Sequence, residues 1–208
     1  SKVIYTAGES RYFENELVVK DILAKKKNLK EKLLSEYFTK LRPAAENEIL
    51  IETSPQYALT SKKLAGTKSK EENIKMRRRE AEAMKAVNPK IKVIVIFCDP
   101  IKRAFSLFSM NVRNNHAQMT TEVENFDSAV KRGASEARTY GEFVDVIAPF
   151  EDVLGKENVL ILDGELAIRN PNEEFGRILD FIGVEKRGFE FEIDEQKGFP
   201  CLVKPAKR

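Results

Sequence analysis

The sequence predicts an α/β domain with three layers and a largely parallel sheet, and its pattern supports this class in three ways. Short apolar runs rich in β-branched residues, typical of parallel strands covered on both faces, alternate with longer stretches of helical spacing. Turns bearing proline or glycine separate these segments. A chain of 208 residues can bury one substantial core, so we expect a single globular domain over residues 1–208.

In the first half of the chain, strands and helices alternate and prolines mark their ends. Pro43 ends the first predicted helix, Pro55 turns the chain after the second predicted strand, and Pro89 follows the second helix. The predicted elements are a strand at 3–6, a helix within 16–42, a strand at 48–52, a polar loop at 61–72 and a basic helix at 73–87.

The segment from residue 91 to residue 113 is the most informative part of the chain, because a strand turns directly into a helix there. After the β-branched run at 92–97, Asp99 can cap the helix and Pro100 can take its first position. Backbone N–H groups at such a helix start face the carboxyl edge of the sheet, where α/β folds bind anions. The junction therefore predicts a phosphate site, although such turns also occur for purely structural reasons.

The second half of the chain continues the same alternation. Its predicted elements are a polar segment at 114–124, helices at 126–131 and 140–153, a strand at 158–162 and a helix at 171–182. Pro149 is expected to kink the second of these helices. In the last helix, Asn170 is expected to cap the start, Glu173 to complete a capping box, and Gly183 to end the helix.

Several segments resemble, in the same order, the motifs of the Golgi heparan sulfate sulfotransferases, namely E-x-H-F-F-D/E, E-K-T-P-x-Y, R-D-P-x-x-R-x-x-S and a carboxyl-terminal K-G-F. The resemblance spans nearly the whole chain and is strongest to the glucosaminyl 3-O-sulfotransferase branch. The matching segments are Glu9-Ser-Arg-Tyr-Phe-Glu14, Ile51-Glu-Thr-Ser-Pro-Gln-Tyr57, Phe97-Cys-Asp-Pro-Ile-Lys-Arg-Ala-Phe-Ser106, Val159-Leu-Ile-Leu-Asp-Gly164, Ile168-Arg-Asn-Pro171, Phe181-Ile-Gly183 and Lys197-Gly-Phe-Pro-Cys201.

This resemblance implies a P-loop NTPase-like sulfotransferase fold and a reaction. The family moves a sulfuryl group from 3'-phosphoadenosine 5'-phosphosulfate (PAPS) to a sugar hydroxyl of a glycosaminoglycan and leaves 3'-phosphoadenosine 5'-phosphate (PAP). Such a transfer needs a base for the hydroxyl proton and positive groups for the charge that develops on the departing phosphate. It also implies residence in the Golgi lumen. It implies no metal.

The resemblance also assigns roles to residues of this chain. Glu9 matches the catalytic glutamate and is the candidate base, with a solvated or ion-paired carboxylate as the alternative interpretation. The candidate donor-binding residues are Arg103, Ser106, Lys197, Gly198 and Phe199. The candidate acceptor-binding residues are Arg11, Glu14 and Arg113.

Three departures from the family pattern lead to an alternative function. Cys98 stands where the family has the arginine that binds the 3'-phosphate, and Thr53 replaces the lysine of E-K-T-P. The Gly/Lys-rich loop that holds the phosphosulfate would precede Glu9 and is not in this chain, through truncation or through true loss. A degenerate relative of the family would bind sulfated glycans without turnover. Its candidate cations are Arg77, Arg78, Arg79, Arg113, Lys131, Arg132 and Arg138.

Composition and missing motifs argue against other function classes. A net charge of +3 without a platform of basic and aromatic residues disfavours nucleic-acid binding. The chain has no G-x-x-x-x-G-K-S/T, which disfavours kinases of this scaffold, and its lone His116 has no metal-ligand neighbours. No apolar run is long enough for a membrane contact of this segment. A disulfide between Cys98 and Cys201 is left open, with Cys98 otherwise expected in the core.

Overall fold

A computed structural model describes residues 3–7, 13, 16–24, 48–54, 57, 70–113, 143–186, 188–195 and 198–203. Strands and helices alternate through these ranges, as the sequence predicts. The elements are β1 (Val3–Ala7), α1 (Glu16–Leu23), β2 (Glu48–Glu52), α2 (Lys70–Val87), β3 (Val93–Phe97), α3 (Pro100–Arg113), α4 (Phe143–Leu154), a 3-10 turn (Lys156–Asn158), β4 (Val159–Asp163), α5 (Gly164–Arg169), α6 (Pro171–Ile182), β5 (Phe191–Asp194) and β6 (Phe199–Leu202). The predicted helix at 126–131 lies outside the described residues.

The described strands form two parallel pairs and one antiparallel hairpin. In the first pair, β1 lies beside β2 with Ala7 opposite Glu52, and in the second, β3 lies beside β4 with Phe97 opposite Asp163. The carboxyl ends of the two strands in each pair are therefore level with each other. The hairpin of β5 and β6 places Phe191 opposite Leu202. The predicted α/β class with parallel strands is confirmed.

Helix α2 packs against both α1 and α4, and these three helices supply most of the core. Ala81 and Ala83 of α2 are fully buried, and small side chains there let neighbouring elements approach closely. Polar contacts along the α2–α4 interface add to this packing. The Arg78 guanidinium lies 2.6 Å from the Asp152 carboxylate, and Lys85 Nζ donates to the Val153 carbonyl oxygen at 2.6 Å.

The structure moves the start of one predicted helix and shows how another helix accommodates a proline. Helix α2 begins at Lys70, so residues 70–72 are helical and not part of a loop. Their two glutamates favour this outcome, because negative charge stabilises the first turn of a helix. Helix α4 continues through the buried Pro149, as an uninterrupted helix.

The last helix confirms the predicted roles of Pro171 and Gly183, whereas the capping box of Asn170 and Glu173 is not formed. Pro171 occupies the first turn of α6, and Gly183 ends the helix at φ 71°, a left-handed conformation that glycine adopts readily. Asn170 holds the cap position, but its side chain makes no capping hydrogen bond. Asn170 also ends α5, where its N–H donates to the Leu166 carbonyl oxygen at 2.7 Å, and its ψ of 60° lies outside the extended region typical of a capping residue.

One expectation about strands was wrong, and one pair of strands was missed. Strand β3 is not covered on both faces, since the Ile96 side chain is 54% exposed. The hairpin of β5 and β6 was not predicted, because its strands have only four residues each and β5 lies in an acidic stretch. The signal was nevertheless present in the alternation of Phe191 and Ile193 and in Gly198, which has φ 68° between the strands.

Gly164 provides a test of the packing between the ends of β3 and β4. A Cβ atom at this position would lie 2.9 Å from Cys98 Sγ and 3.0 Å from the Phe97 carbonyl oxygen. We expect Gly164→Ala to lower the free energy of unfolding by about 1–3 kcal/mol, because the strand end must shift. Urea denaturation measures the change.

Gly176 in α6 provides the matched control. Its nearest atom to an added Cβ is Lys186 Cε at 3.6 Å, an ordinary contact with a flexible side chain. Gly176→Ala should therefore raise the free energy of unfolding by up to about 1 kcal/mol through the loss of glycine flexibility. Equal effects of the two substitutions would contradict the close approach at Gly164.

Candidate functional site

An aspartate caps the helix that follows each of β3 and β4: Asp163 is the last residue of β4, and Asp99 lies two residues beyond the end of β3. The Asp99 Oδ1 accepts hydrogen bonds from the backbone N–H groups of Ile101 and Lys102, each at 2.9 Å. The Asp163 Oδ1 accepts from the N–H of Glu165 at 2.8 Å and from that of Leu166 at 3.3 Å. Because the strands are parallel and in register, the starts of α3 and α5 lie side by side.

An ion pair joins these two helix starts. The Lys102 Nζ lies 2.8 Å from the Glu165 carboxylate, and Lys102 is the second residue after Pro100 in α3. Of these two aspartate caps, only Asp99 at the start of α3 was predicted from the sequence. The sequence Val159-Leu-Ile-Leu-Asp-Gly164 carried the same signal, an apolar run followed directly by aspartate, for the cap of α5.

The Asp99 cap occupies backbone N–H groups that were predicted to bind a phosphate at the start of α3. The N–H groups of Ile101 and Lys102, which were expected to be exposed to a phosphate, already donate to Asp99. A phosphate could take these donors only by displacing a carboxylate that the helix dipole also favours. Anion binding at this edge therefore depends on side chains of α3 rather than on its first backbone N–H groups.

Helix α3 presents the two predicted donor-binding side chains one turn further on. Arg103 is partly buried and Ser106 is exposed. Residues three positions apart are neighbours on a helix surface, so the guanidinium and the hydroxyl lie on adjoining parts of α3. The positive charge of Arg103 and the hydroxyl of Ser106 can together bind an anionic group.

Cys98 was expected in the core, but its side chain is exposed, immediately after β3. Cys201 is also exposed, and both thiols are free, so the two cysteines form no disulfide. Strand β3 ends at the carboxyl edge of its pair, which is why the position after it reaches solvent. The residue that stands for the family's arginine therefore faces the edge where Asp99 and Asp163 lie.

A second polar cluster lies at the end of β2 and was not predicted. The Glu52 Oε1 accepts hydrogen bonds from the Ser54 hydroxyl at 2.7 Å and from the Tyr57 hydroxyl at 3.0 Å. The Tyr57 oxygen in turn accepts from the Phe13 N–H at 3.2 Å. The only signal in the sequence was the family-like segment from Ile51 to Tyr57.

Several residues of the predicted site lie outside the described part of the chain. Glu9, Arg11, Glu14 and Lys197 lie outside the described residues, as do Lys131, Arg132 and Arg138. Arg113 is the last residue of α3, but its side chain lies outside the described part as well. Gly198 and Phe199 are described: the Gly198 N–H donates to the Asp194 carbonyl oxygen at 2.7 Å, and the Phe199 side chain is 52% exposed.

The basic run of α2 supplies only part of the cationic surface that the glycan-binding alternative requires. Arg77 is only 2% exposed, and its guanidinium lies 2.6 Å from the buried Glu80 carboxylate. Arg78 is paired with Asp152 on α4. Arg77 is therefore removed from the candidate glycan contacts, because its buried guanidinium is paired with Glu80 inside the protein.

Neither a metal site nor a membrane span is found in the described part of the chain. Within those ranges, no three side chains of histidine, cysteine, aspartate or glutamate are grouped as metal ligands. None of the described helices has the length and apolar character needed to cross a bilayer.

Comparisons with known proteins agree with this geometry. Residues 26–204 match the family described as the sulfotransferase domain. The mouse heparan sulfate glucosamine 3-O-sulfotransferase 3A1 is 25% identical over 170 residues, which are 76% of this chain and 37% of that protein. The human heparan sulfate glucosamine 3-O-sulfotransferase 6 is 23% identical over 183 residues, which are 84% of this chain and 47% of that protein.

The chain thus spans between about a third and a half of the length of these curated relatives. Among solved structures, a sulfotransferase from Alicyclobacillus acidocaldarius superposes with a TM-score of 0.60 at 17% identity, covering 88% of this chain and 71% of that one. At this identity the likeness concerns the fold, which is the P-loop-like fold of sulfotransferases. The chain belongs to the sulfotransferase family, close to its heparan sulfate glucosamine 3-O-sulfotransferase branch.

Proposed function

We propose that this chain belongs to an enzyme that transfers a sulfuryl group from PAPS to a sugar hydroxyl of a heparan sulfate-like glycosaminoglycan. The observation that carries the proposal is the α3 junction of a sulfotransferase domain, which presents Arg103 and Ser106 just beyond the end of β3. The relatives named as heparan sulfate 3-O-sulfotransferases support the acceptor class. We infer a single domain over residues 1–208, acting in the Golgi lumen.

The reaction sets a clear task for each group of residues. The acceptor oxygen forms a bond to sulfur while the bond from sulfur to the 5'-phosphate oxygen breaks, and PAP departs with the electron pair. Glu9 takes the acceptor proton as general base. In the sequence, Glu9 follows Ala7 by two residues, and Ala7 ends β1 opposite Glu52, the last residue of β2.

The donor and the acceptor use different residues in this proposal. The Ser106 hydroxyl and the Arg103 guanidinium bind the 3'-phosphate of the nucleotide, and the turn of Lys197, Gly198 and Phe199 borders the nucleotide and the acceptor. Phe199 is exposed in β6 and offers an apolar surface for that purpose. Arg11, Glu14 and Arg113 contact the acceptor sugar. No metal is needed, because side-chain cations and the fold's own dipoles stabilise the departing phosphate.

Cys98 and Thr53 favour a second candidate function, glycan binding without turnover. Both side chains are exposed at the ends of strands, at positions where the family has an arginine and a lysine. A thiol and a hydroxyl cannot replace the bidentate and charged contacts of those residues with phosphate. Donor binding measured directly distinguishes the two functions.

We expect PAP to bind the full-length protein and to raise its melting temperature in a concentration-dependent manner. Ser106→Ala should weaken this binding about tenfold, because a hydrogen bond to a charged phosphate is lost. Isothermal titration calorimetry measures the affinity. Ser109→Ala is the control: its side chain lies about 4.5 Å further along the axis of α3, away from the helix start, and the change should leave the affinity within about twofold. Binding of heparan oligosaccharides without binding of PAP would replace the enzyme with the glycan-binding protein.

Cys98→Arg is expected to improve donor binding. The side chain at this position is exposed, so an arginine there has room to extend. A guanidinium beside Ser106 would add a bidentate contact with the 3'-phosphate and should tighten PAP binding by about tenfold or more. Calorimetry tests the change, with Cys201→Arg as the control for added charge alone. An equal gain from both substitutions would show that the effect is unspecific.

Glu9→Gln should lower kcat by about a hundredfold or more, because the amide cannot accept the hydroxyl proton. The affinity for PAP should stay within about twofold, since the glutamate does not contact the nucleotide in this proposal. A radiolabelled sulfate transfer assay measures turnover. Glu48→Gln, the same change at the amino end of β2, is the control. Unchanged turnover in Glu9→Gln would remove Glu9 from the mechanism.

A further inference from the structure

Glu52 lies at the meeting point of two separate connections. Its backbone is paired in register with Ala7, the last residue of β1. Its carboxylate accepts the Tyr57 hydroxyl, and the Tyr57 oxygen accepts the N–H of Phe13. Residues 7 and 13 are therefore both tied to the end of β2, one through the strand pairing and the other through the tyrosine.

Phe13 is held by more than this hydrogen bond. Its side chain is 2% exposed and belongs to the same core cluster as Val19 and Ile22 of α1. Its ring also meets the Tyr57 ring edge-on, with 6.1 Å between centroids at 61°. Removing the Tyr57 hydroxyl would therefore release the backbone N–H of Phe13 while the packing of both rings is kept.

The direction of these hydrogen bonds strengthens the link from Glu52 through Tyr57 to Phe13. The Tyr57 O–H donates to an anionic carboxylate, and such charge-assisted bonds are stronger than neutral ones. Donation by the hydroxyl polarises its oxygen and makes it a better acceptor for the Phe13 N–H. The turn that presents Tyr57 is itself closed by its N–H, which donates to the Ser54 carbonyl oxygen at 3.2 Å.

Five residues, 8–12, connect these two fixed points, and Glu9 is among them. We propose that Tyr57, with Glu52 behind it, is a positioning residue for the sulfuryl transfer, because it fixes where the segment bearing Glu9 returns to the core. This inference rests on the proposed function of Glu9 as the base. Neither Tyr57 nor Glu52 takes a proton in it. Both act by holding Ala7 and Phe13, the described residues on either side of positions 8–12. A small displacement of a catalytic base is costly to turnover.

The principal test is Tyr57→Phe in the full-length protein. We expect the Phe13 amide to exchange with solvent deuterium about tenfold faster, since its acceptor is gone. We expect kcat to fall by about tenfold or more, with the KM for PAPS and the Kd of PAP within about twofold. Residue-resolved hydrogen exchange and steady-state kinetics provide the two readouts. The ring packing is retained, so the protein should stay folded.

Glu52 offers a rescue series. Glu52→Ala removes the acceptor and should match Tyr57→Phe in both readouts, whereas the carbonyl oxygen of Glu52→Gln can still accept the Tyr57 hydroxyl and should restore most of the turnover. Ser54→Ala is the control, because its hydroxyl donates to the same Glu52 oxygen, whereas the oxygen that accepts from the Phe13 N–H belongs to Tyr57. It should leave the Phe13 exchange rate and kcat within about twofold.

The outcomes separate this inference from the proposed function. Unchanged exchange of the Phe13 amide in Tyr57→Phe overturns the anchor. Faster exchange with full kcat, or an equal loss of kcat in Ser54→Ala, overturns the positioning role. If the unaltered protein binds PAP but transfers no sulfate, the proposed function fails and the catalytic role of the anchor fails with it, whereas the exchange rates still decide whether Tyr57 holds Phe13.

Discussion

The parallel register of the strands is the constraint on which the site depends. Because Ala7 lies opposite Glu52 and Phe97 lies opposite Asp163, the strands of each pair finish together, and polar residues that are distant in the sequence meet at their ends. The helices that follow β3 and β4 need acceptors for their first backbone N–H groups. Asp99 and Asp163 supply these acceptors, whereas Glu52 at the end of β2 accepts the side-chain hydroxyls of Ser54 and Tyr57.

This division explains why the sequence was informative about the fold and less so about the site. Apolar runs and helix-end residues such as Pro171 and Gly183 act locally, so their outcome could be predicted from neighbouring residues. Asn170 shows the limit: two adjoining helices share it, and a pattern considered one helix at a time gives it two conflicting roles. The Phe13–Tyr57 contact joins residues 44 positions apart, which no local pattern can reveal.

At the start of α3, helix capping and anion binding would use the same backbone N–H groups. The aspartate that makes a stable helix start also occupies the N–H groups that an anion would use. A family arginine at position 98 would place positive charge beside Asp99, whereas this chain has an uncharged thiol there. The electrostatic balance at this edge therefore differs from that of the family pattern, even though the fold around it is the same.

The buried pair of Arg77 and Glu80 bears on how this sequence can change over time. A buried charge that loses its partner costs about 3–5 kcal/mol, which is a large part of the stability of an ordinary domain. Apolar residues at both positions could fill the same space without that cost, but the path to them passes through an intermediate in which one charge has lost the other. We therefore expect these two positions to be replaced together rather than singly.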